Sequence, residues 1–257
     1  MAEVIFTRSD CEVLSEANRR RTDLSAERSS IRERLVQLDR DIPSSGTSVL
    51  GLNLHRHWSP LHLTSIWYPN RFNGHSVRQI FLRYGKSRAE MLRPEAQVLD
   101  ADVDGQIEEG PSFMSHIHLS TGLDERGFFY QIIMQPDAVA DYDRFLLMLR
   151  DEGHGPPLLS NLRMLEDAGY GLFFGDESLP IRASSECAAG LAQRLEQEYG
   201  HLRGAYYFGT RMDVQVVDRL VISTENLIGE IHRMFPAFNL IREPLGGTDA
   251  VRRPAPD

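Results

Sequence analysis

Five apolar runs rich in β-branched and aromatic residues follow one another between Val49 and Met134, and helical patterns come only after them. The runs cover 49–54, 61–68, 77–84, 113–120 and 128–134. Residues of this kind suit a pleated, half-buried surface. Asp124-Glu125-Arg126-Gly127, between the last two runs, supplies the chemistry of a hairpin turn. Strands grouped early and helices late lack the strict β-α alternation of a doubly wound parallel sheet. The expected class is therefore α+β: a mainly antiparallel sheet packed by C-terminal helices and preceded by a long N-terminal helix.

The N-terminal helix is expected from Ser9 to Ile42, a stretch without proline or glycine and rich in Glu, Arg, Ala and Leu. Ile31, Leu35, Leu38 and Ile42 recur at alternating spacings of four and three, the seam of a coiled coil or helical hairpin. Such a seam would let the chain form a homodimer or dock on a partner subunit. Pro43-Ser44-Ser45-Gly46-Thr47 reads as a linker. The organisation is then a helix and linker over 1–47, a globular domain over 48–242 and a disordered Gly-, Pro- and Arg-rich tail over 243–257. Within the domain, Val139 to Asp151, Pro157 to Ala168 and Ser184 to Tyr199 read as helices, and 171–174 and 205–209 as short strands. Val214 to Phe235 reads as mostly helical and ended by Pro236.

Charge narrows the partners. The 37 acidic against 28 basic residues give a net charge of -9, which opposes nonspecific attraction to nucleic acid while leaving room for a local basic groove. Cys11 and Cys187 are too few and too far apart in sequence for a disulfide framework or a thiolate metal site. No apolar run is long enough to cross a bilayer and no basic start precedes an apolar core, so the expectation is a cytoplasmic chain without a membrane partner.

Two of the strand-like runs carry a histidine followed two residues later by a hydroxyl: His62-Leu63-Thr64 and His118-Leu119-Ser120. On a strand, alternate side chains share a face, so each imidazole would point the same way as its hydroxyl. Cleavage of a phosphodiester needs one group to take a proton from the nucleophile and another to give one to the leaving oxygen. Histidine suits both tasks because its ordinary pKa is about 6.5. Arg83 and Lys86, in the basic cluster Arg78, Arg83, Lys86 and Arg88, would supply charge for the phosphate.

The paired triplets resemble the histidine-x-threonine/serine motifs of the 2H phosphoesterases, enzymes of cyclic phosphates and RNA ends that need no obligatory metal. The resemblance implies His62 and His118 as acid and base and Thr64 and Ser120 as phosphate ligands, with no cofactor. The ligand would be a phosphate-containing small molecule or a nucleic acid end. The plain structural alternative is that both histidines are sheet residues bonded to neighbouring backbone or carboxylates.

Other patterns point less directly. His55 with His57 and His116 with His118 form two His-x-His pairs that could bind zinc if their strands were adjacent, yet no motif places an acidic ligand beside them, so no metal is expected. Asp100, Asp102, Asp104 and Gly105 match the first half of a calcium loop, but its twelfth position holds Pro111 instead of glutamate. Gly85-Lys86-Ser87 lacks the earlier glycine of a P-loop. Arg194 and His201 have a spacing found in some helical ribonucleases and are incidental surface residues on this reading. The second functional class is a noncatalytic interaction module that docks through the N-terminal helix or stacks bases on Trp58, Trp67, Tyr68 and Phe72.

Overall fold

Alternation of buried and outward residues over 3–7 makes a strand, a five-residue helix follows it, and the polar residues after that break the chain into turns before a longer helix forms. The computed structural model describes residues 2–45, 48–57, 67–91, 116–175, 177–202 and 204–242. In chain order the elements are β1 (Glu3–Thr7), α1 (Arg8–Glu12), α2 (Ser25–Arg40), β2 (Ser44–Ser45), β3 (Ser48–Val49), β4 (Leu54–Arg56), β5 (Gln79–Gly85) and α3 (Arg88–Met91). After these come β6 (His118–Asp124), β7 (Gly127–Met134), α4 (Val139–Arg150), α5 (Gly155–Asp167), β8 (Gly171–Phe174) and β9 (Glu177–Ser178). The chain ends with α6 (Ala188–Tyr199), β10 (Phe208–Val214), β11 (Arg219–Ser223) and α7 (Thr224–Arg242).

Among the described residues the large sheet runs β2-β3-β4-β5-β6-β7-β10-β8-β9, with every neighbouring pair antiparallel. A separate ribbon pairs β1 with β11, placing Val4 opposite Ile222 and Phe6 opposite Leu220. One face of the large sheet, carrying Leu82, Tyr84, Leu119, Phe128, Tyr130 and Ile132, joins a single apolar core with α2, α4 and α7. Tyr84 anchors that face by donating its hydroxyl to Asp39 at 2.6 Å, and the same carboxylate accepts from Arg56 at 2.7 Å.

The expected fold preceded by one long N-terminal helix is overturned: the N-terminus is a strand, and the helices are mostly C-terminal, with β8, β9 and β10 of the sheet placed among them. The cause is local. Ser15 and Asn18 donate side-chain hydrogen bonds to the Glu12 carbonyl and Ser25 to that of Thr22, so polar side chains compete with the helical ladder over 13–24. The Arg28 guanidinium, buried where a heptad would want an apolar residue, donates to the carbonyls of Arg21 and Asn18 and draws these turns around itself.

The coiled-coil seam is corrected with it. Ile31, Leu35, Leu38 and Ile42 are buried in the chain's own core against β5 and α7, which leaves them no surface to offer a second helix. The helix expected from Val214 begins only at Thr224, because 219–223 is taken by β11. It also continues through Pro236, its far end held by burial of Ala237, Phe238 and Ile241. Cys11 and Cys187 are free thiols. No helix among the described residues is long and apolar enough to cross a membrane.

Truncating Leu35 tests the inward seam. Leu35→Ala is expected to cost about 2–5 kcal/mol of stability in urea unfolding, with the mass measured by light scattering unchanged from wild type. Loss of mass at unchanged stability would mean that the seam joins two chains.

Candidate functional site

Strand register decides which side chains meet. Arg83 on β5 lies opposite Ser120 on β6, Ser120 opposite Gln131 on β7, and Gln131 opposite Arg211 on β10. Directly opposed residues share a sheet face, so these four form one polar row across the face that the core cluster does not use. One step along, Phe81, Gly122 and Phe129 form a second row. The two phenyl rings approach to 6.3 Å across Gly122, where a Cβ would lie 2.1 Å from the Ile80 carbonyl oxygen and 2.5 Å from Phe81 Cβ. The Arg83 guanidinium lies over the Phe81 ring, 4.6 Å from its centroid, and that of Arg211 over Phe129 at 4.3 Å. Asp124 and Asp213 accept from Arg211 at 2.5 and 2.6 Å.

On the other side of the polar row, His118 lies opposite Gly85. A Cβ on Gly85 would stand 3.4 Å from both His118 Cβ and the His57 ring, so the bare glycine is where the two histidines flank one backbone position. His57 Nε2 donates to the Lys86 carbonyl at 2.6 Å. His118 Nδ1 donates to the His116 carbonyl at 3.1 Å. A carbonyl oxygen only accepts, so Nδ1 carries the proton and Nε2 of the neutral ring is left as an acceptor. That Nε2 is buried and has no hydrogen-bond partner among the described residues. Ser120 accepts from Gln131 Nε2 at 2.8 Å and keeps its own hydroxyl proton for a further acceptor.

One carboxylate holds the approach to β6 in place. Asp141, in the first turn of α4, accepts from the Ile117 backbone N–H at 2.6 Å, from Lys86 Nζ at 2.9 Å and from Arg144 at 2.9 Å. Burial alone would raise this carboxyl; neighbouring His116, with Lys86 and Arg144, outweighs it and holds Asp141 below the usual carboxylate range. Burial lowers Lys86, with Asp141 opposing. Burial also leads the shifts of the imidazoles. It brings His57 down to about 4, and with the nearby Arg83 guanidinium it pushes His118 well below the ordinary histidine value. Arg83 falls to about 9 through burial and is still cationic at neutral pH.

The structure thus brings together three of the residues singled out in sequence: His118, Ser120 and Arg83 share one face of adjacent strands. Lys86 lies beside them but directs its ammonium at Asp141. His62, Thr64, Trp58 and the Asp100–Gly105 acidic loop lie outside the described residues. Trp67 packs edge-on against Tyr68 and carries Arg32 over its ring at 4.5 Å. Sequence reasoning passed over Gln131 and Asp141. Gln131 breaks an apolar strand on the same period-two face as Phe129, which was the available signal. Asp141 gave none, because acids in a first helical turn are common. Among the described residues no three His, Cys, Asp or Glu side chains are grouped so as to hold a metal ion. Comparison of the chain with family models, with curated proteins and with solved structures finds no match.

Burial of neutral imidazoles has a consequence in acid. The unfolded chain protonates a histidine near its ordinary value of 6.5, whereas folded His57 stays neutral until about 4. The unfolded state therefore binds more protons across this window, and stability present above it is lost as the pH falls through it. For His57 the loss between pH 6.5 and 4.5 is on the order of 2 kcal/mol. Urea unfolding at the two pH values should show His57→Gln declining less than wild type by about that amount; parallel declines would contradict it.

Proposed function

We propose that the chain is a cytoplasmic, histidine-dependent phosphoesterase acting on a phosphodiester or cyclic phosphate. His118 is one member of the acid-base pair, and Ser120 and Arg83 hold the nonbridging phosphate oxygens. The observation that carries the reading is the state of His118. Its Nδ1–H is committed to a backbone carbonyl, its Nε2 is an acceptor without a partner among the described residues, and a hydroxyl donor and a guanidinium stand on the same sheet face.

In this mechanism His118 Nε2 takes the proton of the attacking water or hydroxyl. The imidazolium so formed is unfavourable in a buried site until a phosphate brings negative charge beside it, so binding of the substrate tunes the base. Arg83, over the Phe81 ring, and the Ser120 hydroxyl bear the charge that develops on the phosphate oxygens. His62 and Thr64 are the proposed second half, with His62 protonating the leaving oxygen, in keeping with the resemblance to the 2H phosphoesterases. Lys86, spent on Asp141, acts on the 116–118 backbone and not on the phosphate.

The test is turnover of 2′,3′-cyclic nucleotides and short RNA ends. His118→Ala and His62→Ala should each leave the fold intact by circular dichroism and lower the rate on the order of a hundredfold or more. A wild-type rate no higher than that of the double variant, over this substrate set, would end the proposal.

A further inference from the structure

We infer that Gln131 is a positioning residue that fixes the polarity of Ser120, turning the cross-strand row Arg83–Ser120–Gln131 into a donor row that accepts an oxyanion. The inference rests on the phosphoesterase reading and adds to it the group that makes the site choose an anion.

A serine hydroxyl can donate or accept, and alone it does not select the sign of its ligand. Gln131 removes that freedom. Its Nε2 donates to Ser120 Oγ at 2.8 Å between two fully enclosed side chains. With one Oγ lone pair taken by Gln131, the hydroxyl proton is turned away from that side and is available to an acceptor opposite it. The register is compatible with this orientation: Arg211 stands opposite Gln131 on β10 and offers only donors, a side that suits the carboxamide oxygen, while the nitrogen donates to Ser120. Arg211 donates to Asp124 and Asp213, so its charge is balanced locally. The carboxamide nitrogen thus occupies one lone pair of the hydroxyl and leaves its proton for the opposite side, where Arg83 stands across from Ser120. An amine would meet the wrong sign of charge there, and a neutral carbonyl would gain less than a charged oxygen. A phosphoryl oxygen meets a guanidinium and an O–H donor.

Two substitutions separate this role from simple packing. Gln131→Glu replaces the donor by an acceptor, so Ser120 must donate to residue 131 and present lone pairs to the ligand. Gln131→Met keeps the volume and removes the donor. The measurement is isothermal titration of inorganic phosphate into the wild type, the two single variants, Ser120→Ala and Ser120→Ala combined with Gln131→Met. Gln131→Glu should weaken phosphate about tenfold or more. Gln131→Met should weaken it in the presence of Ser120 and have no effect in the Ser120→Ala background, because it acts only through that hydroxyl. Equal losses from Gln131→Met in both backgrounds would overturn the inference while leaving the phosphoesterase reading intact. No phosphate binding by wild type, together with no turnover, would overturn both. If Gln131→Glu does not fold, the Gln131→Met and Ser120→Ala cycle decides the matter alone.

Discussion

The pairing of β5, β6 and β7 in one register is the constraint from which the rest of the molecule follows. Side chains alternate between faces along a strand, so a slip of one residue would carry Leu119 and Tyr84 out of the core and put His118, Ser120 and Arg83 in their place. Two groups guard against that slip. On the core side, Tyr84 is fixed by its hydrogen bond to Asp39 of α2. On the other side, Phe81 and Phe129 close over Gly122 so tightly that no other residue fits between them. The face that buries apolar rings and the face that gathers polar side chains are two consequences of the same ladder.

The polar face is organised by acceptors that leave little choice to their donors. Asp141 takes the Ile117 N–H together with Lys86 and Arg144, and so ties the start of β6 to the first turn of α4. The His116 carbonyl, one residue earlier, then selects the Nδ1–H tautomer of His118. From the other end of the row, Asp124 and Asp213 fix Arg211, and Gln131 fixes Ser120. Burial raises the stakes of each assignment, since an enclosed polar group with no partner is costly and a misplaced proton cannot be corrected by water.

Much of the sheet could be read from the chain, because 77–84 and 128–134 are apolar and rich in β-branched and aromatic residues and a turn sequence closes the hairpin at 124–127. The shared direction of His118 and Ser120 was legible for the same reason, as a period-two relation. The N-terminus was not. Its helix-forming composition concealed the side chains of Ser15, Asn18 and Ser25, which prefer nearby carbonyls, and β1 finds its partner only in β11 at the far end of the chain. Arg28, at a position where a heptad would want an apolar residue, is a buried donor to turn carbonyls. Gln131 and Asp141 were illegible for a related reason: their work depends on which strand and which helix end stand opposite, and that is a property of the packed structure.

The central claim is that His118 is held as a neutral imidazole with its proton on Nδ1 and its Nε2 bare. Long-range ¹H–¹⁵N correlation spectra of the imidazole ring, recorded on the full chain between about pH 5 and 8, test it directly. The account predicts one ring with a protonated Nδ1 and an unprotonated Nε2, unchanged across that range and lost in His118→Ala. A ring that carries its proton on Nε2, or that becomes an imidazolium near its ordinary value, would contradict it.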